Sequence, residues 1–123
     1  MAQKILVIDD YADMIDSIAT LLDLRGLESR RAQSAEEGLQ IAGDWQPDTI
    51  AVDLWMPKMD GHEFARLIRQ RYGKAVNLIA VLRSASAKVY NECAQAGFTS
   101  CILKPFAVSE LLEKINPDAG CHE

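Results

Sequence analysis

No apolar run in this chain approaches the ~20 residues that a membrane-spanning helix needs. The opening Met1-Ala2-Gln3-Lys4 leads straight into a strand pattern and carries no signal-peptide architecture. Positive charge is in short supply, with 13 Lys and Arg against 18 Asp and Glu and a net charge of −5. Such a surface has no general attraction for nucleic acid or anionic membrane. Cysteine is scarce: Cys93, Cys101 and Cys121 are odd in number and lack metal-type spacing. Cys93 and Cys101 lie in apolar stretches and read as reduced core residues. Repeats, linkers and low-complexity tracts are missing. The expectation from these absences is one cytoplasmic domain; the composition, 49% hydrophobic and 25% charged, is of ordinary globular balance.

What is present alternates between strand and helix from end to end. Apolar runs at about residues 4–8, 27–32, 49–53, 78–82 and 100–103 predict five strands. The second carries Glu28, Arg30 and Arg31, as suits an edge. Between them lie amphipathic stretches. Ile15, Ile18, Ala19 and Leu22 form one stripe, with Gly26 placed to end that helix. Ser34 and Glu37 form a capping box for the second helix, which Gly43 and Pro47 close. Phe64, Leu67 and Ile68 mark the third, Val89, Cys93 and Ala96 the fourth, and residues 109–115 the last. Pro57 and Asp60-Gly61 read as turn formers. Residues 1–116 form the expected domain, and residues 117–123 a frayed tail. Five βα units predict a doubly wound α/β fold with a parallel sheet in the flavodoxin-like order 2-1-3-4-5.

That order brings three strand ends together. Asp9-Asp10 follows the first strand, Asp53 the third and Lys104-Pro105 the fifth. Each residue alone has a plain structural use: an aspartate as helix cap or turn, a lysine as solvated charge, a proline as strand terminator. Their convergence on one sheet edge, where open α/β sheets hold ligands, argues for a divalent cation and a phosphoryl group. Crowded carboxylates repel, and Mg²⁺ relieves that conflict with hard oxygen ligands. Asp10 and Asp53 are candidate direct ligands, Asp9 a ligand directly or through water, and the Trp55 backbone carbonyl a further one. Asp53 is the candidate nucleophile for an aspartyl phosphate. Lys104 is placed to pair with a phosphoryl oxygen. A flavin carrier of the same fold would need a Ser/Thr/Gly-rich phosphate loop where this chain has Asp9-Asp10-Tyr11-Ala12. A metal-dependent phosphatase would need a cap domain for which 123 residues leave no room.

Taken together, Ile5-Leu6-Val7-Ile8-Asp9-Asp10, the stretch from Asp53 through Met56-Pro57 to Met59-Asp60-Gly61, Ala96-Gly97 and Lys104-Pro105-Phe106 resemble the receiver domain of two-component response regulators, the chemotaxis-regulator fold. The resemblance covers about residues 3–115. It implies that Asp53 is the phosphoacceptor, Asp9 and Asp10 the metal-binding pair, and Lys104 the phosphoryl contact. It implies a cis peptide before Pro105 and a phosphohistidine donor on a histidine kinase or phosphotransfer protein. Signalling would run through changed affinity for a downstream protein, with no direct nucleic-acid or membrane binding by this domain. The domain would assist its own phosphorylation and dephosphorylation without being a turnover enzyme.

Two positions depart from the family pattern. A Thr or Ser normally ends the fourth strand; here Leu82 or Arg83 falls there, and Ser84 could serve only through a loop irregularity. Arg83 is expected to point at the site and contact Asp53 or the phosphoryl group. The aromatic residue usual three positions before the lysine is Cys101, too small for an inward-rotating switch. These departures admit an alternative, a receiver-like interaction module with an altered or phosphorylation-independent switch. Trp55 could shield the phosphoryl group from water or belong to a partner surface. His62 and His122 receive no role.

Overall fold

Strand and helix alternate as β1 (Lys4–Ile8), α1 (Ala12–Leu24), β2 (Glu28–Ala32), α2 (Ala35–Trp45), β3 (Thr49–Asp53), α3 (Gly61–Tyr72), β4 (Asn77–Leu82), α4 (Ala87–Ala96), β5 (Ser100–Leu103) and α5 (Val108–Ile115). This computed structural model describes residues 3–55 and 60–116. The expected turn at Pro57 and the tail at 117–123 lie outside the described residues. The sheet is parallel throughout, in the order β2-β1-β3-β4-β5. The polar second strand is indeed an edge, and β1, β3 and β4 lie between two neighbours each.

Strand parity decides what each face does, because successive side chains point to opposite sides. Leu6, Ile8, Ile50, Val52, Leu78, Ala80 and Leu82 pack beneath α2, α3 and α4, with Phe64, Ile68, Cys93 and Ala96. Ile5, Val7, Ala51, Ile79, Val81 and Ile102 pack beneath α1 and α5, with Ile15, Leu22, Leu111 and Ile115. Asp9 continues the parity of Val7, Asp53 that of Ala51, and Lys104 that of Ile102. The alternation that buries the strands therefore delivers all three charged residues to one side of the sheet edge.

Several local readings change. Gly43 lies inside α2, and the helix is closed instead by Gln46 in the left-handed region at φ 53. The capping box is displaced by one residue: Ser34 Oγ accepts from the Glu37 N–H, but the Glu37 carboxylate accepts from the Gln33 N–H. Asp60-Gly61 is a helix start and not a free turn. Asp60 caps α3 by accepting from the His62 N–H at 2.9 Å, and Gly61 is buried in the first turn. A methyl group at Gly61 would meet the Leu54 side chain and stand 3.1 Å from its Cα. Gly61→Ala is therefore expected to lose about 1–3 kcal/mol by overpacking the segment that leaves Asp53. Urea unfolding checks this; an unchanged midpoint would show that Leu54 yields freely.

Candidate functional site

The crevice at the carboxyl ends of β1, β3 and β5 is built from short local hydrogen bonds. Asp9 Oδ1 accepts from the Tyr11 N–H at 3.0 Å, and Asp53 Oδ1 accepts from the Trp55 N–H at 2.9 Å. Both are side chain-to-backbone contacts two residues on, the habit of aspartate in turns. They fix the carboxylates as the chain leaves each strand. The other oxygen of each faces one cation. Lys104 Nζ donates to Asp9 Oδ2 at 2.7 Å and to Asp53 Oδ2 at 3.0 Å. Asp53 is fully buried, and Asp9 nearly so.

Burial raises the Asp9 pKa above its ordinary 3.8, helped by the nearby Asp53 charge and opposed by the Lys104 and Tyr11 hydrogen bonds. Burial alone would lower the Lys104 pKa, but its hydrogen bonds to Asp9 and Asp53 outweigh that and hold it above 10.5. The ammonium is thus firmly charged and shared between two carboxylates. Asp10, on the exposed side, completes the acidic cluster: one carboxylate oxygen from each of Asp9, Asp10 and Asp53 lies within 4.8 Å of the others. Three acids against one ammonium leave net negative charge converging from hard oxygen donors. That donor set fits Mg²⁺.

The remaining sequence candidates divide. Leu82, paired with Leu103, ends β4 and is 1% exposed in the core beneath α2–α4. Arg83 follows it, with Nη2 3.8 Å from Asp53 Oδ2 and its side chain 55% exposed. Ser84 is exposed in the bend beyond. Trp55 is among the exposed large hydrophobics, although its backbone N–H holds Asp53. Cys101 packs against the same core as Cys93. Burial, foremost, pushes the Cys93 thiol up to about 12 and raises Cys101, which favours the neutral thiol at both. The Lys104–Pro105 peptide is cis. His62 Nδ1 lies 3.0 Å from Asp60 Oδ1, and its ring meets Phe98 edge-on. Sequence reading missed the two backbone N–H groups that hold Asp9 and Asp53; the signal was present in each strand-ending aspartate followed by a loop.

The match to known proteins has the same extent as this architecture. The family model for the response regulator receiver domain matches residues 5–116. The chain belongs to the response regulator receiver family. Receivers of this family are phosphoacceptors, modified on an aspartate, and not turnover enzymes; they generally bind Mg²⁺ at an aspartate cluster. Response regulator MprA of Mycolicibacterium vanbaalenii is 31% identical over all of this chain and 56% of its own length. The probable transcriptional regulator ycf27 of Porphyridium aerugineum is 31% identical over 92% of this chain and 46% of its own. The receiver thus spans about half the length of the curated relatives it matches. Among solved structures, the chemotaxis response regulator CheY4 of Vibrio cholerae has a TM-score of 0.89 at 26% identity, covering 95% of this chain and 98% of that one. A CheY-like receiver domain protein from Methanospirillum hungatei has a TM-score of 0.88 at 28% identity, covering 98% and 95%.

Proposed function

We propose that Asp53 is the phosphoacceptor of a two-component phosphorelay, served by a phosphohistidine on a histidine kinase or phosphotransfer protein. The observation that carries this reading is a fully buried carboxylate at a central strand end, 3.0 Å from an ammonium and beside two further acids. An Asp53 carboxylate oxygen attacks phosphorus, an O–P bond forms, and the donor's N–P bond breaks with its electron pair leaving on the imidazole. Lys104 lies where it can follow the charge onto the phosphoryl oxygens, and the Trp55 N–H keeps the attacking carboxylate oriented. Asp10 and Asp53 would hold Mg²⁺ directly, Asp9 directly or through water, and the Trp55 carbonyl would add a further ligand; the ion would supply charge neutralisation on the transferring group. These residues assist phosphorylation and later hydrolysis, the sense in which the domain takes part in its own chemistry.

Phosphorylation would shift the affinity of the α4–β5 region for a downstream protein. The exposed Trp55 indole would shield the phosphoryl group or meet that partner. Among the described residues no helix is long and apolar enough to cross a membrane, and the negative charge argues against direct nucleic-acid binding. Cytoplasmic operation is consistent with both. Incubation with acetyl phosphate and Mg²⁺ should add the mass of one phosphoryl group, absent from Asp53→Asn. No adduct from acetyl phosphate or from phosphorylated histidine donors would overturn the reading.

A further inference from the structure

The end of β4 has no hydroxyl facing the crevice. Leu82 is packed into the core, and Ser84 lies beyond the strand in an exposed bend. Between them Arg83 brings its guanidinium to 3.8 Å from Asp53 Oδ2, the same oxygen that accepts from Lys104. That separation is too long for a hydrogen bond. It leaves a gap between a buried anion and a half-exposed cation; Arg83 and Lys104, with Asp10, also line a cavity of about 840 Å³.

A phosphoryl group on Asp53 would direct its oxygens outward into this gap. It would bring roughly one and a half to two negative charges to a place where Lys104 is already shared by two carboxylates. Among the described residues Arg83 is then the nearest cation not shared between carboxylates, and its planar fork of donors suits phosphoryl oxygens better than a point charge does. The alternative, a solvated surface arginine whose pairing contributes little, has the half exposure in its favour. Against it stands the geometry, since a side chain with half its surface free to solvent brings its guanidinium to 3.8 Å from a fully buried carboxylate.

We infer that Arg83 is a phosphoryl-binding residue that takes the place of the missing hydroxyl. The inference rests on Asp53 being the phosphoacceptor. Its consequence is mechanical. Arg83 lies three residues before Ser86, whose Oγ caps α4 by accepting from the Val89 N–H. Drawing Arg83 onto the phosphoryl group pulls the bend at 83–86 toward the crevice and with it the start of α4. The core-packed Leu82 is the fixed point about which that bend turns.

The test is calorimetric, with beryllium fluoride formed from beryllium chloride and sodium fluoride as the phosphoryl mimic, at saturating Mg²⁺. Wild type, Arg83→Ala and Arg83→Lys are compared, and Mg²⁺ alone is titrated into each. Arg83→Ala should weaken mimic binding tenfold or more and leave Mg²⁺ affinity equal or tighter, because a nearby positive charge has gone. Arg83→Lys should recover part of the loss. Mimic affinity equal to wild type in Arg83→Ala would overturn the inference and leave Asp53 as acceptor. Mimic and Mg²⁺ affinity falling together would also overturn it, by showing general damage to the acidic crevice. A wild type that binds neither the mimic nor acetyl phosphate's phosphoryl group would overturn the phosphoacceptor reading itself.

Discussion

Lys104→Met is expected to lower the stability of the metal-free protein by about 3–5 kcal/mol at pH 7, because removing one partner leaves buried charge uncompensated. The Lys104 side chain is 17% exposed and bridges Asp9 at 2.7 Å and Asp53 at 3.0 Å. Its raised pKa gives the sign. The ammonium's contribution is complete below its ordinary 10.5 and is lost only as pH climbs through the higher folded-state value. The wild type should therefore keep this stabilisation across the neutral range. In the variant, Asp9 loses the hydrogen bond that opposes its upward shift. A carboxyl with a raised folded-state pKa favours the fold most below its ordinary 3.8 and loses that advantage as pH rises through the folded-state value. The deficit of Lys104→Met should accordingly shrink as pH falls. Millimolar Mg²⁺ should restore part of it, since an ion that binds only the native state stabilises by mass action. Urea unfolding in EDTA at pH 7 and pH 5, then with Mg²⁺, measures all three. A wild-type midpoint at pH 7 in EDTA would refute the argument.

Arg69→Ala should cost about 3 kcal/mol, a fall in Tm on the order of 10 °C. Arg69 lies in the last turn of α3 and donates Nε to Gly97 O at 2.8 Å, Nη1 to Gly73 O at 3.0 Å and Val76 O at 2.6 Å, and Nη2 to Thr99 Oγ1 at 3.0 Å. One side chain thus closes the α3–β4 and α4–β5 connections at the amino-terminal edge of the sheet. Removing it leaves three carbonyls short of a partner. Gly97 is the counterpart: its φ of +108° disfavours any side chain, and a methyl there would stand 2.8 Å from Arg69 Cγ. Gly97→Ala should therefore destabilise the wild type more than it destabilises Arg69→Ala, because the second background has already removed the clash. Thermal unfolding of the two single variants and the double variant decides; strict additivity would show that the backbone conformation alone carries the Gly97 effect.

The strand order and the convergence of Asp9, Asp53 and Lys104 were legible because they follow from periodicity. Apolar strands with polar ends allow few parallel arrangements, and parity fixes which side each end residue faces. The family resemblance added the roles proposed for them. What could not be read was local backbone detail. Gln46 takes the left-handed conformation that glycine ordinarily supplies, so of the two residues expected to close α2, Pro47 lies just past its end and Gly43 falls inside it. Asp60-Gly61 carries the residues of a turn, and only the buried approach of Leu54 shows why the glycine opens a helix. The identity of the residue ending β4 was open between Leu82 and Arg83 in sequence. Register against Leu103 and burial place Leu82 there, and a side chain that long follows the core, not the crevice.

The two tryptophans stand at opposite ends of β3. Trp55 is exposed just past Asp53, while Trp45 precedes the strand, with the Arg30 guanidinium 4.7 Å and Lys4 Nζ 5.8 Å from its ring centroid. Cations held over a ring by β1 and β2 keep one indole in a constant setting, and the other is exposed two residues past Asp53. The molecule consequently carries an unlabelled optical pair, a reporter close in sequence to the proposed phosphoacceptor and an internal reference a strand's length away.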